Sequence, residues 1–336
     1  MYNDEIKFSL WCDFIERDFI AKEFGEFLAK GTFNGATSNP SIFKNAITTS
    51  QAYGVQKAKF AHKNTKKLYE ILAITDIKNA ANALLANYAR GDDGFISIEV
   101  DPSISDDAEA MIKEGKRLFA QIAMPNVMIK VPATQAGYET MRALTRRGIN
   151  VNATLIFSPE QTAKCLEAIK EGTSEFAAKF EGAKLPQSVI SIFVSRFDRA
   201  LDEDMKKAGL ESAKIGIMNA TKCYNIIAKE NLPFVRALFA STGVKGGEIP
   251  ADYYIKELLY PLSVNTAPLD TIKAFIGAKC EPKTPFSDEE IDKFFADVAQ
   301  KAGIDMDKIY KKLLKDGLVA FEQAFDEIMT TLEKEK

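Results

Sequence analysis

Eight short strand-like runs recur along this 336-residue chain, and each is followed by a longer stretch of helical character. The runs fall at residues 8–13, 34–39, 95–100, 127–131, 150–156, 188–194, 235–241 and 262–266. Strands that alternate with helices suggest a parallel sheet, and eight such units suit a sheet closed on itself. The expected fold is therefore an α/β (β/α)8 TIM barrel with additional helices and a helical C-terminal tail, one domain spanning 1–336. Segment 41–94 is too long for one helix and should hold two or three. A helical insertion is expected at about 197–231 and C-terminal helices at about 286–335. Within that tail Leu314, Leu318, Phe321, Phe325, Ile328 and Leu332 recur at spacings of four and three, which predicts an apolar helix stripe packed on the barrel.

The parity of the strands carries more information than their number. Side chains alternate between the two faces of a strand, and in a barrel one face meets the helices while the other points inward. Val127, Ile129 and Val131 share one face, which leaves Met128 and Lys130 on the other. Ile96, Ile98 and Val100 oppose Ser97 and Glu99, and Val151, Ala153 and Leu155 oppose Asn150, Asn152 and Thr154. Leu10 and Cys12 oppose Asp13, and Ile190 and Ile192 oppose Ser191 and Phe193. In any one strand, an inward polar residue could simply bond to a neighbour or to buried water. Five strands that share the pattern, with a lysine and two carboxylates among them, point to a site at the C-terminal end of the barrel. Lys130 is the most telling member. An ammonium in an apolar run is costly unless paired or neutralised, and a neutral amine is free to attack a carbonyl. Schiff-base chemistry is the expectation, although Asp13 could instead serve only as an ion-pair partner for Lys130.

Composition narrows the alternatives. The chain is 46% hydrophobic and 27% charged with a net charge of −3, an ordinary globular balance without the basic bias of a nucleic-acid binder. The N-terminus has no basic region followed by a long apolar one, and no run approaches the length of a membrane span, so a cytoplasmic protein is expected. Cys12, Cys165, Cys223 and Cys280 are dispersed, form no CxxC and are expected to be reduced, the more apolar ones buried. His62 is the only histidine, which excludes a multi-histidine zinc site and disfavours Ser-His-Asp or Cys-His catalysis. It lies in a polar stretch expected to be a solvated helical face. Acid–base work must fall to carboxylates, lysine and hydroxyls.

Several strings combine these residues. They are Gly35-Ala36-Thr37-Ser38-Asn39-Pro40-Ser41, Ser97-Ile98-Glu99-Val100-Asp101-Pro102, Ile129-Lys130-Val131-Pro132-Ala133-Thr134, Asn150-Val151-Asn152-Ala153-Thr154, Ser191-Ile192-Phe193-Val194-Ser195-Arg196 and Asn265-Thr266-Ala267-Pro268. In joint order and spacing, from about Ser9 to Pro268, they resemble the transaldolase family. The insertion and the long tail resemble its larger, bacterial branch.

The resemblance implies transfer of a dihydroxyacetone unit, with no cofactor and no metal. The donor would be sedoheptulose 7-phosphate or fructose 6-phosphate, and the acceptor glyceraldehyde 3-phosphate or erythrose 4-phosphate, in the non-oxidative pentose phosphate pathway. By the same resemblance Lys130 forms the imine and Asp13 handles the C4 hydroxyl proton. Glu99 and Thr154 hold a catalytic water, Asn39 and Asn152 bond hydroxyls of the three-carbon unit, and Ser191 and Phe193 wall the pocket. Arg196 binds phosphate, assisted by Ser241 and Lys245; other members carry a second arginine just after that serine, and here the nearest cation is Lys245, four positions on, which matches the larger branch. Asn39, before Pro40, could equally cap a helix, and Lys245 could sit in a solvated loop. Partners are expected to be sugar phosphates only, with neither nucleic acid nor membrane. A homodimer is compatible with the sequence, which does not set the oligomeric state. Two rivals share parts of the pattern: an aldolase with the same lysine that releases free dihydroxyacetone, and a barrel kept as a binding scaffold. The first is usually much shorter and lacks the carboxylate base; the second should show degraded site positions, and none is seen.

Overall fold

The residues that end a strand here also start the helix that follows. Asn39 accepts from the Ile42 N–H (3.0 Å) with Pro40 in the first helical position, and Thr134 accepts from the Gly137 N–H (3.0 Å). Ser158 and Gln161 form a reciprocal capping box with Pro159 in the first turn. Each device satisfies helix donors that would otherwise be orphaned, and it anchors the loop above the strand.

The computed structural model describes residues 3–278 and 280–335. The first half runs β1 (Ser9–Cys12), α1 (Arg17–Lys22), α2 (Phe24–Ala29), β2 (Gly35–Ala36), α3 (Pro40–Thr49), α4 (Gly54–Phe60), α5 (Thr65–Ala89), β3 (Ile96–Glu99), α6 (Ala108–Ile122), β4 (Val127–Pro132), α7 (Gln135–Thr145) and β5 (Asn150–Ile156). It continues with α8 (Pro159–Lys179), β6 (Ser188–Phe193), α9 (Ser195–Lys207), α10 (Ile215–Glu230), β7 (Val235–Ala240), α11 (Tyr253–Glu257), β8 (Val264–Ala267), α12 (Leu269–Phe275), α13 (Asp288–Ala302) and α14 (Met306–Lys334). The eight strands pair in sequence order and β8 returns to β1, closing a parallel (β/α)8 barrel. Segment 41–94, expected to hold two or three helices, holds three, with a short 3-10 turn at Gln51–Tyr53 between the first two. In the 197–231 stretch, α10 packs against α8 and β7 as the barrel helix between β6 and β7, so α9 is the addition.

The alternation separates two apolar clusters. Leu10, Ile96, Ile98, Val127, Ile129, Val131, Ile190, Ile192 and Phe239 join the helices in the outer one. Trp11, Met128, Val189, Leu238 and Val264 fill the barrel interior. Near the N-terminal ends of the strands Trp11 lies over Gly35, where a Cβ would meet the indole at 2.6 Å. The indole N–H donates to Asp93 (2.8 Å), whose other oxygen accepts from Arg236 (2.6 Å). This polar plug closes one end of the barrel and leaves the other for a site.

Several expectations are corrected. Leu155 joins the inner cluster, not the helix-facing one with Val151 and Ala153. The ladder shifts register between Ala153 and Ile156 and Leu155 has φ 58°; the bulge inserts a residue and inverts the parity, so Ile156 takes the outer position. The last strand starts at Val264 and runs to Ala267, because Leu262, with φ 54°, belongs to the preceding turn. His62 is exposed but lies in the turn between α4 and α5, not on a helix.

The tail stripe is buried at Phe321, Phe325, Ile328 and Leu332, whereas Leu313 and Gly317 take the buried places expected of Leu314 and Leu318. The cause is a change of neighbour along α14. Its second half packs against α3 and α5, while its first half crosses the barrel mouth beside β5. Leu313 and Phe321 belong to the inner cluster and Ile328 and Leu332 to the outer, so α14 joins the two. Cys12, Cys165 and Cys223 are buried free thiols, and Cys280 is half-buried and free. Among the described residues no helix is long and apolar enough to cross a membrane.

Candidate active site

A cavity of about 200 Å³ opens at the C-terminal end of the barrel. Register explains what lies at its floor. Glu99, Lys130 and Asn152 are direct neighbours across β3, β4 and β5, so equal parity points all three inward. Lys130 is only 5% exposed. Its Nζ donates to the Ser38 carbonyl (3.1 Å) and lies 3.7 Å from Glu99 Oε2. The Phe321 ring of α14 stands 5.7 Å from the same nitrogen and supplies an apolar wall.

Two carboxyls flank the amine, and they differ in environment. Glu99 is pushed up to about 7, chiefly by burial, with Lys130 opposing the shift. Its Oε2 is buried and finds no hydrogen-bond partner among the described residues. Asp13, at the end of β1, is also raised by burial, with Lys130 and a hydrogen bond from Thr37 pulling it back. Thr37 Oγ1 donates to Asp13 Oδ1 (2.6 Å) and sits 2.6 Å from the Thr266 hydroxyl, which fixes the carboxylate's direction. Two carboxyls placed on different sides of one amine, one paired with it and one held by a threonine, can divide acid and base duties.

The remaining polar groups form the walls. Asn152 donates to Ser97 Oγ (2.9 Å) and accepts from Ser191 Oγ (2.6 Å), so its amide is fully oriented. Asn39 uses its carbonyl to cap α3, which leaves its amide NH2 toward the cavity it lines. Capping and lining are thus both served by this residue. Thr154 Oγ1 is buried without a partner among the described residues and lines the cavity with Ser191 and Phe193.

At the mouth, the Arg196 guanidinium lies 5.0 Å from the Phe193 ring centroid and 6.0 Å from that of Phe157. Burial, and then the neighbouring charge of Arg199, pull Arg196 down to about 10. Neither arginine has an ion-pair partner within 4.0 Å among the described residues. Ser241, with φ 56°, completes the rim, its hydroxyl 3.1 Å from that of Ser195. Lys245 is exposed and does not line the cavity. The second cation there is Arg199, one helical turn beyond Arg196 on α9.

Eight of the residues singled out from sequence line this cavity: Lys130, Asp13, Thr154, Asn39, Ser191, Phe193, Arg196 and Ser241. Glu99 and Asn152 touch its members from beside and below, and Lys245 stands apart. The sequence reading missed Thr37, Arg199, Thr266 and Phe321. Inward parity in β2 and β8, the i,i+3 spacing on α9 and the tail stripe were the available signals. Among the described residues no three His, Cys, Asp or Glu side chains are grouped as a metal-ligand set.

A profile of the transaldolase/fructose-6-phosphate aldolase family matches residues 10–332. A transaldolase of Campylobacter jejuni subsp. jejuni is 50% identical over 330 residues, covering 97% of this chain and 99% of that protein. A transaldolase of Helicobacter pylori strain Shi470 is 45% identical over 327 residues, with coverage of 97% and 99%. Matches of this extent place the shared sequence across the whole barrel and its tail, and the chain belongs to the transaldolase/fructose-6-phosphate aldolase family.

Proposed function

We propose that this chain is a transaldolase that moves a dihydroxyacetone unit between sugar phosphates through an imine on Lys130. The observation that carries the reading is a buried primary amine flanked by two carboxyls, in a cavity whose mouth holds two arginines without carboxylate partners. Lys130 Nζ adds to the C2 ketone of a ketose phosphate, and loss of the C2 oxygen as water gives the iminium. Asp13 then takes the C4 hydroxyl proton, the C3–C4 bond breaks, and its electron pair flows into the iminium to leave an enamine. The aldose phosphate departs. C3 attacks the aldehyde carbon of an acceptor, Asp13 returns the proton, and water hydrolyses the new iminium. Glu99 and Thr154 hold the water of the imine steps. Asn39 and Asn152 orient the hydroxyls of the three-carbon unit.

Guanidinium groups suit phosphate because their donors form a planar fork. Arg196, Arg199 and Ser241 therefore take the sugar phosphate, and Lys245 contributes at most from outside the rim. The same reading makes the chain a cytoplasmic enzyme of the non-oxidative pentose phosphate pathway.

Reduction with borohydride in the presence of fructose 6-phosphate tests the proposal. Peptide mapping should find the adduct on Lys130, and Lys130→Arg should be inactive because an arginine stays protonated. A label elsewhere, or none, refutes the assignment. Transfer to erythrose 4-phosphate should exceed release of free dihydroxyacetone; the reverse would make the enzyme an aldolase.

A further inference from the structure

Glu99 borders more than the sugar cavity. It lies 3.7 Å from Lys130, which lines the main cavity, and it also lines a second one, set between β3, α5, α6 and α14. This second cavity has room for about one water molecule. Its walls are mixed: eight of the fourteen lining residues are apolar, and beside Glu99 the polar ones include Tyr69 and Lys66 of α5, Asp101 after β3, and Glu114 of α6. Lys66 Nζ pairs with Asp101 and lies 3.7 Å from Glu114, and its side chain is 45% exposed, so the cavity reaches solvent there. The Tyr69 hydroxyl makes no hydrogen bond among the described residues, while its ring is held edge-on by Phe43 and Phe325. Burial, and then the charge of Glu99, raise that hydroxyl's pKa, as expected of a neutral phenol facing a carboxylate. Glu99 Oε2, buried without a hydrogen bond among the described residues, and the Tyr69 hydroxyl are two polar atoms that a water in this space could join.

The chemistry needs such a place. On the transaldolase reading, on which this inference rests, each imine that forms releases one water and each imine hydrolysed consumes one. At those moments the sugar occupies the main cavity and its phosphate occupies the mouth. We propose that the second cavity is the water passage of the imine steps, connecting Glu99 to solvent beside Lys66, with Tyr69 positioning the water that Glu99 acts on. Water then enters and leaves from the flank while the sugar enters and leaves from the top. Tyr69 is a positioning residue, since it touches neither sugar nor amine.

Oxygen exchange at C2 reads the passage directly. Each cycle of imine formation and hydrolysis swaps the ketose C2 oxygen with solvent, so fructose 6-phosphate in ¹⁸O-water acquires label at C2 without any acceptor. Wild type should exchange. Tyr69→Phe keeps both ring contacts and loses one bond to the water, so exchange should slow roughly 2- to 10-fold. Ala73→Leu, which projects from α5 into the same cavity, should slow it further. In both variants cleavage and its reverse, the carbon–carbon step, should keep the wild-type rate, measured as single-turnover consumption of erythrose 4-phosphate by the preformed dihydroxyacetone enamine, a step that neither releases nor consumes water. Exchange unchanged in both variants refutes the passage. Exchange and cleavage falling together in Tyr69→Phe would mean a structural role and also refute it. A wild type that exchanges no C2 oxygen yet is trapped on Lys130 by borohydride refutes the passage alone, whereas one that shows neither exchange nor trapping overturns the imine reading, which separates the two failures.

Discussion

Gly317 of α14 lets the helix approach the barrel mouth, and replacing it with alanine should separate stability from phosphate recognition. A Cβ at Gly317 would stand 3.0 Å from Leu155 Cδ2, 3.3 Å from Arg196 Nη1 and 3.4 Å from Phe157 Cε2. Leu155 and Phe157 are fully buried in the inner cluster and have little room to yield. Arg196 is partly exposed, so the added methyl should displace its guanidinium. Alanine is better than glycine in a helix interior by about 1 kcal/mol, which offsets an overpacking cost of about 1–3 kcal/mol. Net stability should therefore change by no more than about 2 kcal/mol, read by urea denaturation. A charge-assisted hydrogen bond contributes about 1.5–3 kcal/mol, and its partial loss should lower kcat/KM for fructose 6-phosphate by roughly tenfold. Unphosphorylated fructose, which makes no such bond, should be affected much less. Equal losses on both substrates would mean that Arg196 does not read the phosphate. A collapse of stability would mean that the mouth cannot yield at all.

Arg199→Ala should raise KM for phosphorylated donors more than Lys245→Ala, because only Arg199 lines the cavity; the opposite order would return the second phosphate cation to the loop. Asp93→Ala strips both the Trp11 indole and Arg236 of their partner, so it should cost about 3–5 kcal/mol in denaturation while the folded fraction keeps its kcat. A change in kcat would show that the plug communicates with the site. Glu99→Gln should alter how stability depends on pH. The folded-state pKa of Glu99 is raised from 4.5 to about 7, so below 4.5 both folded and unfolded states hold the proton. Between those values only the folded state holds it, so wild-type stability falls as pH rises through the window and levels off above it. The variant lacks this loss and should gain on wild type by on the order of 3 kcal/mol between pH 4 and 8. A difference that does not vary with pH would contradict the raised pKa.

The barrel and most of its site were legible because period-2 alternation is a local property. Lys130, Glu99, Thr154 and Ser191 are placed by counting along their own strands, and register then aligns Glu99, Lys130 and Asn152. Leu155 was misplaced because one left-handed residue inverts every later position, and no residue type there announces it. Arg199 and Phe321 were missed for another reason. Their place at the mouth depends on how α9 and α14 lie across the barrel, a long-range packing choice that helical periodicity does not encode. Lys245 drew attention through its glycine-flanked loop, where charge and flexibility look alike whether or not a ligand is near.

The crossing of α14 over the mouth has a consequence for biosynthesis. A nascent chain that has cleared the ribosome through β8 already contains Lys130, Asp13 and every strand pairing, including the β1–β8 closure. It lacks Phe321, and it lacks the backbone at Gly317 that hems in Arg196. A barrel halted at that stage would have its nucleophile open to bulk water and its phosphate arginine unconfined. Closing the barrel and completing the catalyst are thus two events separated in time by the synthesis of at least the 54 residues from Pro268 to Phe321, roughly 3–11 s at translation rates of about 5–20 residues per second.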